Sequence, residues 1–587
     1  MIKRSYILTL VMLMIFSLAS MSTFGFNDMP DDWSTEALEK AILNGLLKGD
    51  DDLIRPNDSI TRAEVATIMN RAFGSKAKAD ISTYYDVGTK DWFYDEMAKA
   101  VHMEIFQGNK HKLSPNDPIT REEAFIVIAR ALKLEDADNS IREFTDKDKI
   151  SSWAKGKVFA MVNNGYVEGA NGNINPKGNI TRAEFAQVMH NIVKNYITTS
   201  GTKTVNHEGN LLIRTSEVTL EDSYISGDLI IGDGVGDGDI DLENVEIKGR
   251  LLVRGGGENS INIRGNSKFG ATTIGRLGGR VRLNAEPSSD TGDVILNGND
   301  DGIFKGNYNI VDVIPDDVRA IFINANVNNV NVSGENSGTD IDEDSEIKEL
   351  NINNKNNKVN IKGKVDKVNT SDFSENTEIN TDKDSDIGEL NINSKNSKVN
   401  IKGKVDKINS SENSENLEVD VDDDGEVDEI NSKGRNTKVT GDGKVKEVNA
   451  DGDDTEVDTE GTKVNAGKDA KGVEADGKDV NSGDSVETDD GRSNISSSSS
   501  SSSRSSYTSD NSTKLYYKPT SIGMPTVDIK VDINGKVNEF TLLFDGEELA
   551  STTDGEVTVA SLVLEDLSRV KILYNGTEYS DLSKLQW

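Results

Sequence analysis

The sequence predicts a multidomain protein: a helical region of three repeats, then β-solenoid-like repeats, then a small C-terminal all-β, sandwich-like domain. Three observations support this fold class. The pentapeptide ITRAE occurs at 60–64 and again at 180–184, with ITREE at 119–123. Repeats of about 22 and then about 40 residues with short alternating apolar patterns follow residue 200. Eight serines, 496–503, separate these repeats from a last segment in which the apolar content returns.

Composition restricts the functional classes. A chain of 587 residues is too long for one core, so several domains are expected. Its 66 Lys and Arg residues against 102 Asp and Glu residues give a net charge of −36, which argues against nucleic acid or an anionic membrane as a partner. The absence of cysteine excludes disulfides and thiolate chemistry. No cofactor is predicted.

Residues 1–25 have the features of a secretory signal peptide. Lys3 and Arg4 precede an apolar run, 6–19, and small residues follow it. The run is short for a membrane span, and no second run of spanning length follows. We therefore expect an exported protein that has no membrane anchor after signal cleavage, and that either diffuses away or holds the cell surface by binding to it.

The pentapeptide belongs to a larger unit that occurs three times. Each copy carries a Trp, a Gly, a Pro and the motif Thr in the same order and at identical spacing. Repeats 26–80, 81–140 and 141–200 are predicted. The landmarks are Trp33, Gly49, Pro56 and Thr61; Trp92, Gly108, Pro115 and Thr120; and Trp153, Gly169, Pro176 and Thr181.

Each repeat is predicted to be two helices joined by a loop. Apolar residues follow each Trp at helical spacing, and the Gly marks the end of this first helix. The second helix is predicted to begin at the Thr, because Thr-x-x-Glu is a capping box. The capping pairs are Thr61 with Glu64, Thr120 with Glu123, and Thr181 with Glu184.

The arginine of the motif needs its own explanation. A cation at the first helical position opposes the helix dipole, yet Arg62, Arg121 and Arg182 all stand there. They are either surface residues without a partner, or they hold an anion together with the free amides of the helix N-terminus.

These residues resemble the S-layer homology (SLH) module, here as a tandem of three over residues 26–197. The resemblance implies an all-α, pseudo-threefold bundle whose grooves bind a peptidoglycan-linked secondary cell-wall polymer, often through the carboxylate of a pyruvylated sugar. Carried over by position, Arg62, Arg121 and Arg182 would bind the carboxylate. Trp33, Trp92 and Trp153 would shape the grooves, and Gly49, Gly108 and Gly169 would allow close approach. Tryptophans that only fill the core remain an alternative.

The second repeat departs from the other two. It has Glu104 where they have Gly45 and Gly165, and Glu122 where they have Ala63 and Ala183. Because extra carboxylates weaken an anion site, the second groove is predicted to bind less well.

Residues 201–490 are predicted to form β repeats. TLEDSYISGDLII and DLENVEIKGRLLV align at a spacing of about 22 residues within 201–345, which favours a parallel β-solenoid. Over 346–490 the period becomes about 40 residues and the units are more polar, beginning with ELNINNKNNKVNIKGKVDKVN. These units either stack as a thin solenoid with inward aliphatic rows or stay partly disordered, and disorder is favoured after Asp451.

A wall-anchored polysaccharide-active enzyme is the alternative to a non-catalytic surface protein. Residues 201–505 contain no Trp and one His, His207, and their carboxylates recur with the repeat. A sugar cleft usually has aromatic platforms and isolated carboxylates. We therefore expect no enzyme, but a structural or adhesive surface protein.

Two acidic segments partly resemble metal sites, and no metal is predicted at either. DVDDDGEVDEIN, from Asp420, follows a calcium loop until Asn431 replaces the bidentate Glu. GDGVGDGDID, 232–241, lacks the spacing of calcium-binding solenoids and is predicted to be a turn.

The C-terminal part contains a serine-rich linker, 491–513, and a small β-domain, 514–587. Asn534 and Gly535 predict a hairpin between two strands. No motif identifies a partner of this domain.

Overall fold

The computed structural model describes residues 26–489 with their side chains, and the backbone of nine strands between Thr513 and Gln586. The predicted signal peptide and all but the last residue of the predicted linker 491–513 lie outside the described residues.

The described N-terminal region contains six short α-helices in three pairs, one pair for each repeat. Long loops and isolated β-bridges join them, so "all-α" describes this region only loosely. None of the helices in residues 26–489 is long and apolar enough to cross a membrane. The helices are α1 (Thr35–Leu43), α2 (Arg62–Phe73), α3 (Tyr94–His102), α4 (Arg121–Ala131), α5 (Lys155–Asn163) and α6 (Arg182–Ile192), with a 3-10 turn at Lys147–Lys149.

Each even-numbered helix begins with a capping box. The Thr61 side chain accepts a hydrogen bond from the Glu64 amide, and the Glu64 carboxylate accepts one from the Thr61 amide. The same reciprocal pair is present at Thr120 and Thr181. Two otherwise unpaired amides are satisfied at each start, and this fixes the first turn of the helix.

The three repeats pack as a closed ring. Helix α1 packs against α6, α3 against α2 and α5 against α4, so each first helix contacts the second helix of the preceding repeat. The motif isoleucines close the same ring through the backbone. Ile119 donates to Ile60, Ile180 to Ile119 and Ile60 to Ile180, each at 3.1 Å.

A parallel β-solenoid of about 14 turns follows without a linker, since α6 ends at Ile192 and the first strand begins at Val193. Its first strands are β1 (Val193–Ile197), β2 (Gly201–Lys203), β3 (Asn206–His207), β4 (Asn210–Ile213), β5 (Val218–Glu221), β6 (Tyr224–Ile225), β7 (Leu229–Ile231), β8 (Ile240–Glu243), β9 (Glu246–Val253), β10 (Asn262–Arg264), β11 (Lys268–Ile274), β12 (Val281–Ala285), β13 (Asp293–Leu296), β14 (Gly302–Val313), β15 (Arg319–Val332) and β16 (Gly338–Ile341).

The remaining solenoid strands continue the same stack across the predicted boundary at 345. They are β17 (Glu346–Ile352), β18 (Lys358–Ile361), β19 (Lys364–Thr370), β20 (Glu378–Thr381), β21 (Asp386–Ile392), β22 (Lys398–Ile401), β23 (Lys404–Ser410), β24 (Glu418–Val421), β25 (Glu426–Ser432), β26 (Lys438–Thr440), β27 (Lys444–Ala450), β28 (Glu456–Asp458), β29 (Lys463–Ala466), β30 (Glu474–Ala475), β31 (Lys478–Asp479) and β32 (Ser485–Glu487).

The polar repeats fold because each turn buries a few aliphatic side chains completely. In one turn Val359, Ile361, Val365 and Val368 point inward, each at most 1% exposed. Stacked turns join them into one continuous core from Ile197 to Val480. The expected disorder after Asp451 is therefore wrong for residues 451–489. There the strands shorten, and β32 pairs antiparallel with β29 across the end of the stack.

Asparagine serves two structural purposes in the later turns. Six asparagines at equivalent positions of successive turns adopt left-handed backbone conformations, with φ between 54° and 59°, which Asn tolerates better than most residues. These are Asn336, Asn356, Asn376, Asn396, Asn416 and Asn436. A second set forms a ladder along the solenoid, in which each side-chain amide nitrogen donates to the amide oxygen of the Asn before it at 2.8–3.0 Å: Asn331, Asn351, Asn369, Asn391, Asn409, Asn431, Asn449 and Asn465.

One long sequence repeat corresponds to two turns of the solenoid. Short strands pair at half the repeat distance, for example Lys358 with Glu378 and Glu378 with Lys398. At several outward positions the sign of the charge alternates from one turn to the next, so a charge inside such a column faces opposite charges on both neighbouring strands. Three such columns are 346, 364, 386, 404, 426 and 444; 349, 367, 389, 407 and 429; and 358, 378, 398, 418, 438 and 456.

The helical ring packs directly on the first solenoid turns. Leu212, Ile230 and Leu252 point outward from three stacked strands, are fully buried, and belong to the core of the helical region. The runs around them, LLI, LII and LLV, are apolar without alternation, as expected for strands buried on both faces.

Arginines of the solenoid complete this interface. Arg214 donates to the carbonyl oxygens of Arg71 and Asn44 at 2.7 and 2.8 Å, and Arg254 to that of Ala131 at 3.2 Å. These carbonyls lie at the C-terminal ends of α2, α1 and α4, where the helix dipole favours a cation. Helices and solenoid therefore share one continuous packed interface.

The described strands of the C-terminal region form two sheets. They are β33 (Thr513–Pro519), β34 (Thr526–Ile533), β35 (Lys536–Val537), β36 (Phe540–Phe544), β37 (Glu547–Thr552), β38 (Glu556–Ala560), β39 (Val570–Tyr574), β40 (Thr577–Tyr579) and β41 (Ser583–Gln586). Strands β33, β34, β35, β38 and β41 form one sheet, and β36, β37, β39 and β40 the other. β34 and β35 pair antiparallel on either side of Asn534 and Gly535, which are themselves outside the described residues.

Candidate functional site

The three motif arginines form a ring of ion pairs between repeats. Arg62 Nη1 lies 3.2 Å from Glu123 Oε1, Arg121 Nη1 lies 2.8 Å from Glu184 Oε1, and Arg182 Nη1 lies 2.7 Å from Glu64 Oε1. The glutamates are those of the capping boxes. The arginine side chains are only 11–15% exposed, so each pair is shielded from solvent on the arginine side.

A second contact fixes each guanidinium. Arg62 Nε donates to the Leu113 carbonyl, Arg121 Nε to Ile174 and Arg182 Nε to Ile54, each at 2.9 Å. Burial lowers the pKa of Arg62 from its usual value, and the charge of Glu123 opposes that shift. The explanation as surface arginines without partners is wrong, because each one bridges two repeats.

The amides at the helix starts are not free for an anion. In α2 the Arg62 amide donates to Asp117 O at 3.1 Å, and the Ala63 amide to Pro115 O at 2.9 Å. The next amide, of Glu64, is capped by the Thr61 hydroxyl. Helices α4 and α6 repeat this arrangement with the loops around Pro176 and Pro56. An anion held by helix N-terminal amides is therefore excluded at these three starts.

The motif tryptophans are exposed. Trp33, Trp92 and Trp153 are 60%, 63% and 62% exposed. Filling of the core, the alternative left open by the sequence, is wrong for all three copies. Each Trp precedes the first helix of its repeat and presents an apolar face to solvent.

The motif glycines lie against an aromatic ring that the sequence pattern did not indicate. A Cβ at Gly49 would lie 1.9 Å from Phe26 Cε1, one at Gly108 2.1 Å from Tyr84 Cε1, and one at Gly169 2.7 Å from Phe144 Cε1. Only a residue without a side chain fits beneath these rings.

Two residues after each of these aromatics stands an aspartate that holds the loop. The Asp28 carboxylate accepts from the amides of Ile54 and Arg55, both at 2.7 Å. Asp86 and Asp146 accept equivalent pairs of amides in the other repeats. The signal in the sequence is an aromatic-x-Asp triplet at 26–28, 84–86 and 144–146.

Groups from all three repeats meet in one groove. A groove of about 740 Å³ is lined by Trp33 of the first repeat, Arg121 of the second and Gly169 of the third. Further lining comes from Glu168, Glu184, Gln187, Asn191 and Lys194. Trp, Arg and Gly of the motif therefore act together only across repeat boundaries, which the linear pattern does not reveal.

The two extra carboxylates of the second repeat lie in different places. Glu122 is 3% exposed and accepts from the amide and hydroxyl of Ser151, and it pairs with Lys177 at 2.5 Å. Glu122 is therefore buried and paired within the protein, and the lower affinity predicted for the second groove stays a prediction. Glu104 does line a groove, together with Gly108 and Arg130.

The acidic segments that partly resemble metal sites are ordinary parts of the solenoid. The segment from Asp420 covers the end of β24, a corner at 422–425 and the start of β25. In the segment 232–241, a 3-10 turn spans Asp233–Val235 and the Asp233 carboxylate pairs with Arg254. Within residues 26–489 no three acidic or His side chains are grouped to hold a metal ion.

The family model of the S-layer homology domain matches residues 25–66, 83–125 and 143–186. The chain carries three S-layer homology domains. The resemblance inferred from the motifs is confirmed, and each match ends within the second helix of its pair.

Proteins with similar sequences include both surface-layer proteins and enzymes. The Surface-layer 125 kDa protein of Lysinibacillus sphaericus is 34% identical over 169 residues, 28% of this chain and 14% of that protein. The Amylopullulanase of Thermoanaerobacterium thermosulfurigenes is 30% identical over 175 residues, 29% of this chain and 9% of that enzyme. The S-layer protein sap of Bacillus anthracis is 25% identical over 199 residues, which are 33% of this chain and 24% of that protein. The similarity thus spans less than a quarter of each relative and corresponds in length to an S-layer homology region.

Proposed function

We propose that this chain is a non-catalytic surface protein, held non-covalently at the cell wall by its three S-layer homology domains. Surface-layer proteins among the relatives support a location at the cell surface. The observation that carries the proposal is the groove in which an exposed Trp, a buried Arg and a Gly from three different repeats meet. Such a groove offers a flat apolar surface beside a fixed cation, a combination suited to an acidic sugar.

The proposed partner is a secondary cell-wall polymer linked to peptidoglycan, bound through the carboxylate of a pyruvylated sugar. Among the described residues, the second terminal nitrogen of Arg62 and of Arg121 donates to no protein acceptor, whereas that of Arg182 donates to Lys48 O at 3.1 Å. Arg62 and Arg121 are therefore the arginines best placed to bind a carboxylate while keeping their ion pairs.

Several grooves on one body would add strength to weak individual contacts. A charge-assisted hydrogen bond contributes about 1.5–3 kcal/mol, so a single groove binds weakly. A polymer that repeats its acidic sugar can occupy more than one groove at high effective concentration. The closed ring fixes the grooves relative to one another, which favours such multivalent attachment.

The solenoid is proposed to be a stalk that holds the C-terminal β-region, a sandwich-like domain, away from the wall. Its outward carboxylates are paired along the columns, for example Glu389 with Lys367 at 3.2 Å. The alternative is a wall-anchored polysaccharide-active enzyme, since the relatives include an Amylopullulanase and an Exoglucanase XynX. Release of reducing sugar from wall polysaccharides by the whole chain would favour that alternative.

Co-sedimentation with purified wall sacculi tests the anchoring. The whole chain is compared with Trp33→Ala and Trp92→Ala variants, because these exposed side chains can be truncated without opening the core. Phe373→Ala, which truncates a 78% exposed aromatic on the solenoid, is the matched control. We expect binding to sacculi, loss of binding after the polymer is stripped, and weaker binding of the Trp variants only. Equal binding of all variants to stripped sacculi would reject the proposal.

A further inference from the structure

Two columns of alternating charge run along the same turns of the solenoid, on strands β17–β26. One lies on the long strands and is called the long-strand column; the other lies on the short strands and is called the short-strand column. In both, successive residues stand directly opposite each other on neighbouring parallel strands. The long-strand column is 349, 367, 389, 407 and 429, and the short-strand column is 358, 378, 398, 418 and 438.

The two columns are opposite in sign within every one of these turns. In the first turn Glu349 stands in the long-strand column and Lys358 in the short-strand column, and in the next turn both signs are reversed. The following three turns continue this relation, which ends where Glu447 and Glu456 are both negative. Pairing along a column explains the alternation of that column alone. It leaves the relative phase of the two columns undetermined, so the phase needs another explanation.

The charges of both columns are accessible to a further partner. Lys367 and Glu389 pair at 3.2 Å within the chain, yet their side chains are 43% and 33% exposed. Lys398 and Glu418 stand opposite each other on neighbouring short strands, and neither forms an ion pair among residues 26–489. The columns therefore satisfy only part of their charge within one solenoid.

The two columns are neutral together, in a strongly acidic chain. They contain five lysines and five glutamates, whereas the whole chain has a net charge of −36. Such a net charge keeps copies of a protein apart, except where neutral surfaces meet. Asparagines, whose amides both donate and accept hydrogen bonds, flank the two columns. They are Asn351, Asn369, Asn391, Asn409 and Asn431 beside the long-strand column, and Asn360, Asn380 and Asn400 beside the short-strand column.

The period of the columns indicates what kind of partner fits them. Like charges recur every second turn, which is about 9.6 Å from the spacing of strands in a sheet. A polymer of uniform charge, such as nucleic acid or an acidic polysaccharide, would be repelled at every other turn. Another solenoid of the same sequence has the same period and can match all five turns.

Attachment to one wall determines which columns would meet. Copies held by their N-terminal domains would stand parallel and at equal height. Two long-strand columns would then face each other with like charges. The long-strand column of one copy would instead face opposite charges in the short-strand column of another, with an axial offset of less than one strand spacing, about 4.8 Å.

We propose that copies of this protein associate side by side on the cell surface, with the long-strand column of one solenoid against the short-strand column of a parallel neighbour. The inference rests on the proposed attachment to the wall, which sets the parallel orientation. Because the contact uses two different surfaces of each copy, a copy can bind a neighbour on each side and rows can form. Exposed ion pairs are individually weak, so the contact gains strength where anchoring concentrates the copies.

Reversal of whole columns tests the pairing. The long-strand variant carries Glu349→Lys, Lys367→Glu, Glu389→Lys, Lys407→Glu and Glu429→Lys. The short-strand variant carries Lys358→Glu, Glu378→Lys, Lys398→Glu, Glu418→Lys, Lys438→Glu and, to keep the alternation at its end, Glu456→Lys. Each column still alternates, so the solenoid should fold, and thermal unfolding checks this. A double variant with both columns reversed is complementary again and serves as the control.

Sedimentation velocity of residues 26–587 at about 10 mM salt measures self-association, and about 1 M salt should suppress it. Each single-column variant should raise the apparent Kd of self-association by about tenfold or more, because like charges then face each other at every turn. The double variant should recover association. A mixture of the two single-column variants should associate although neither does so alone, since each supplies the surface that fits the other. Association of both single-column variants at the wild-type level, or no gain on mixing them, would overturn the inference.

Crosslinking on the wall locates the contact. The chain has no cysteine, so introduced cysteines report without background. Asn391→Cys beside the long-strand column and Asn400→Cys beside the short-strand column are loaded together on purified sacculi and oxidised. Mixed disulfide dimers are expected, with few from either variant alone. Absence of mixed dimers between copies bound to sacculi would overturn the inference. Failure of the wild type to bind sacculi would instead reject the proposed attachment, and the mixing experiment in solution would still decide on the contact.

Discussion

Deletion of one or two solenoid turns tests whether the two-turn sequence repeat is a physical unit. Removing residues 358–377 takes out one turn, and removing 358–397 takes out two. The larger deletion brings Glu346 against Lys404 and Glu349 against Lys407, so alternation is preserved. The smaller one brings Glu346 against Asp386 and Glu349 against Glu389, with like charges on neighbouring strands about 4.8 Å apart.

The stability lost in the single-turn deletion can be estimated from the residues that face each other on neighbouring strands. In the Glu349 column the paired Lys367 and Glu389 side chains are 43% and 33% exposed. Replacing an opposite-charge contact by a like-charge contact there changes the pair energy by about 1 kcal/mol at low salt, after allowance for solvent screening. Further columns add in the same direction. A loss of about 1 kcal/mol lowers Tm by a few degrees in a domain of this size.

A steric misfit at the corners of the turns would destabilise the single-turn deletion further. Between the two strands of a turn the corner is either narrow, with two residues such as 362–363, or wide, with four residues such as 342–345. A Cβ on Gly363 of the narrow corner would lie 2.3 Å from the carbonyl oxygens of Asp342 and Ser345 in the wide corner of the preceding turn. Narrow and wide corners alternate, so the single-turn deletion would stack the wide corner 342–345 directly on the wide corner 382–385. This misfit does not depend on salt.

Calorimetry of the whole chain at about 10 mM and about 1 M salt separates the two terms. We expect the single-turn deletion to lower the Tm of the solenoid by more than the two-turn deletion, and part of that difference to disappear at high salt. An equal or smaller effect of the single-turn deletion at both salt concentrations would refute the reasoning.

Three other perturbations test individual contacts. Arg182→Ala removes the ion pair to Glu64 and the hydrogen bond to the Ile54 carbonyl. It should lower the free energy of unfolding of the helical ring by about 2 kcal/mol, measured by denaturant unfolding. Arg71→Ala, the control, loses one hydrogen bond to a carbonyl and should lower it by less. Leu212→Asp places a charge in the interface between helices and solenoid, and should split one calorimetric transition into two; a single unchanged transition would contradict that interface. The hydrogen bond from Lys395 and its positive charge lower the pKa of Glu415. The stabilisation that ionised Glu415 gives the solenoid is therefore present above the carboxylate pKa of the unfolded chain and is lost as pH falls through the lower folded value. Melting curves recorded below about pH 4 should reveal this loss.

Local features of the fold were predictable because they depend on neighbours in sequence. The capping boxes need only Thr and a Glu three residues later, and the solenoid needs only aliphatic residues in a recurring pattern. The disorder expected after Asp451 was wrong because small inward residues such as Val457, Val464 and Ala466 still stack on the turns before them. The high mean polarity of this segment suggested disorder, but each turn of a solenoid needs only a few buried side chains to fold.

Features that join distant segments were not predictable. The combination of Trp33, Arg121 and Gly169 in one groove depends on ring closure, which no spacing encodes. The contact of the helical region with the solenoid did leave a signal, the non-alternating runs LLI, LII and LLV, but their partner could not be read from them. The charge alternation was visible only as a long sequence repeat, since the turn length had to be known before columns could be recognised.

The threefold ITRAE motif has a structural explanation for nearly every letter, and this changes where the evidence for binding must be sought. Its Ile links the backbones of the ring, its Thr and Glu cap the helix, and its Arg reaches the Glu of a neighbouring repeat. Loss of wall binding on Arg→Ala substitution would therefore follow from a broken ring as readily as from a lost ligand contact. The exposed tryptophans take no part in these ring contacts, so their variants are the ones that report on the ligand.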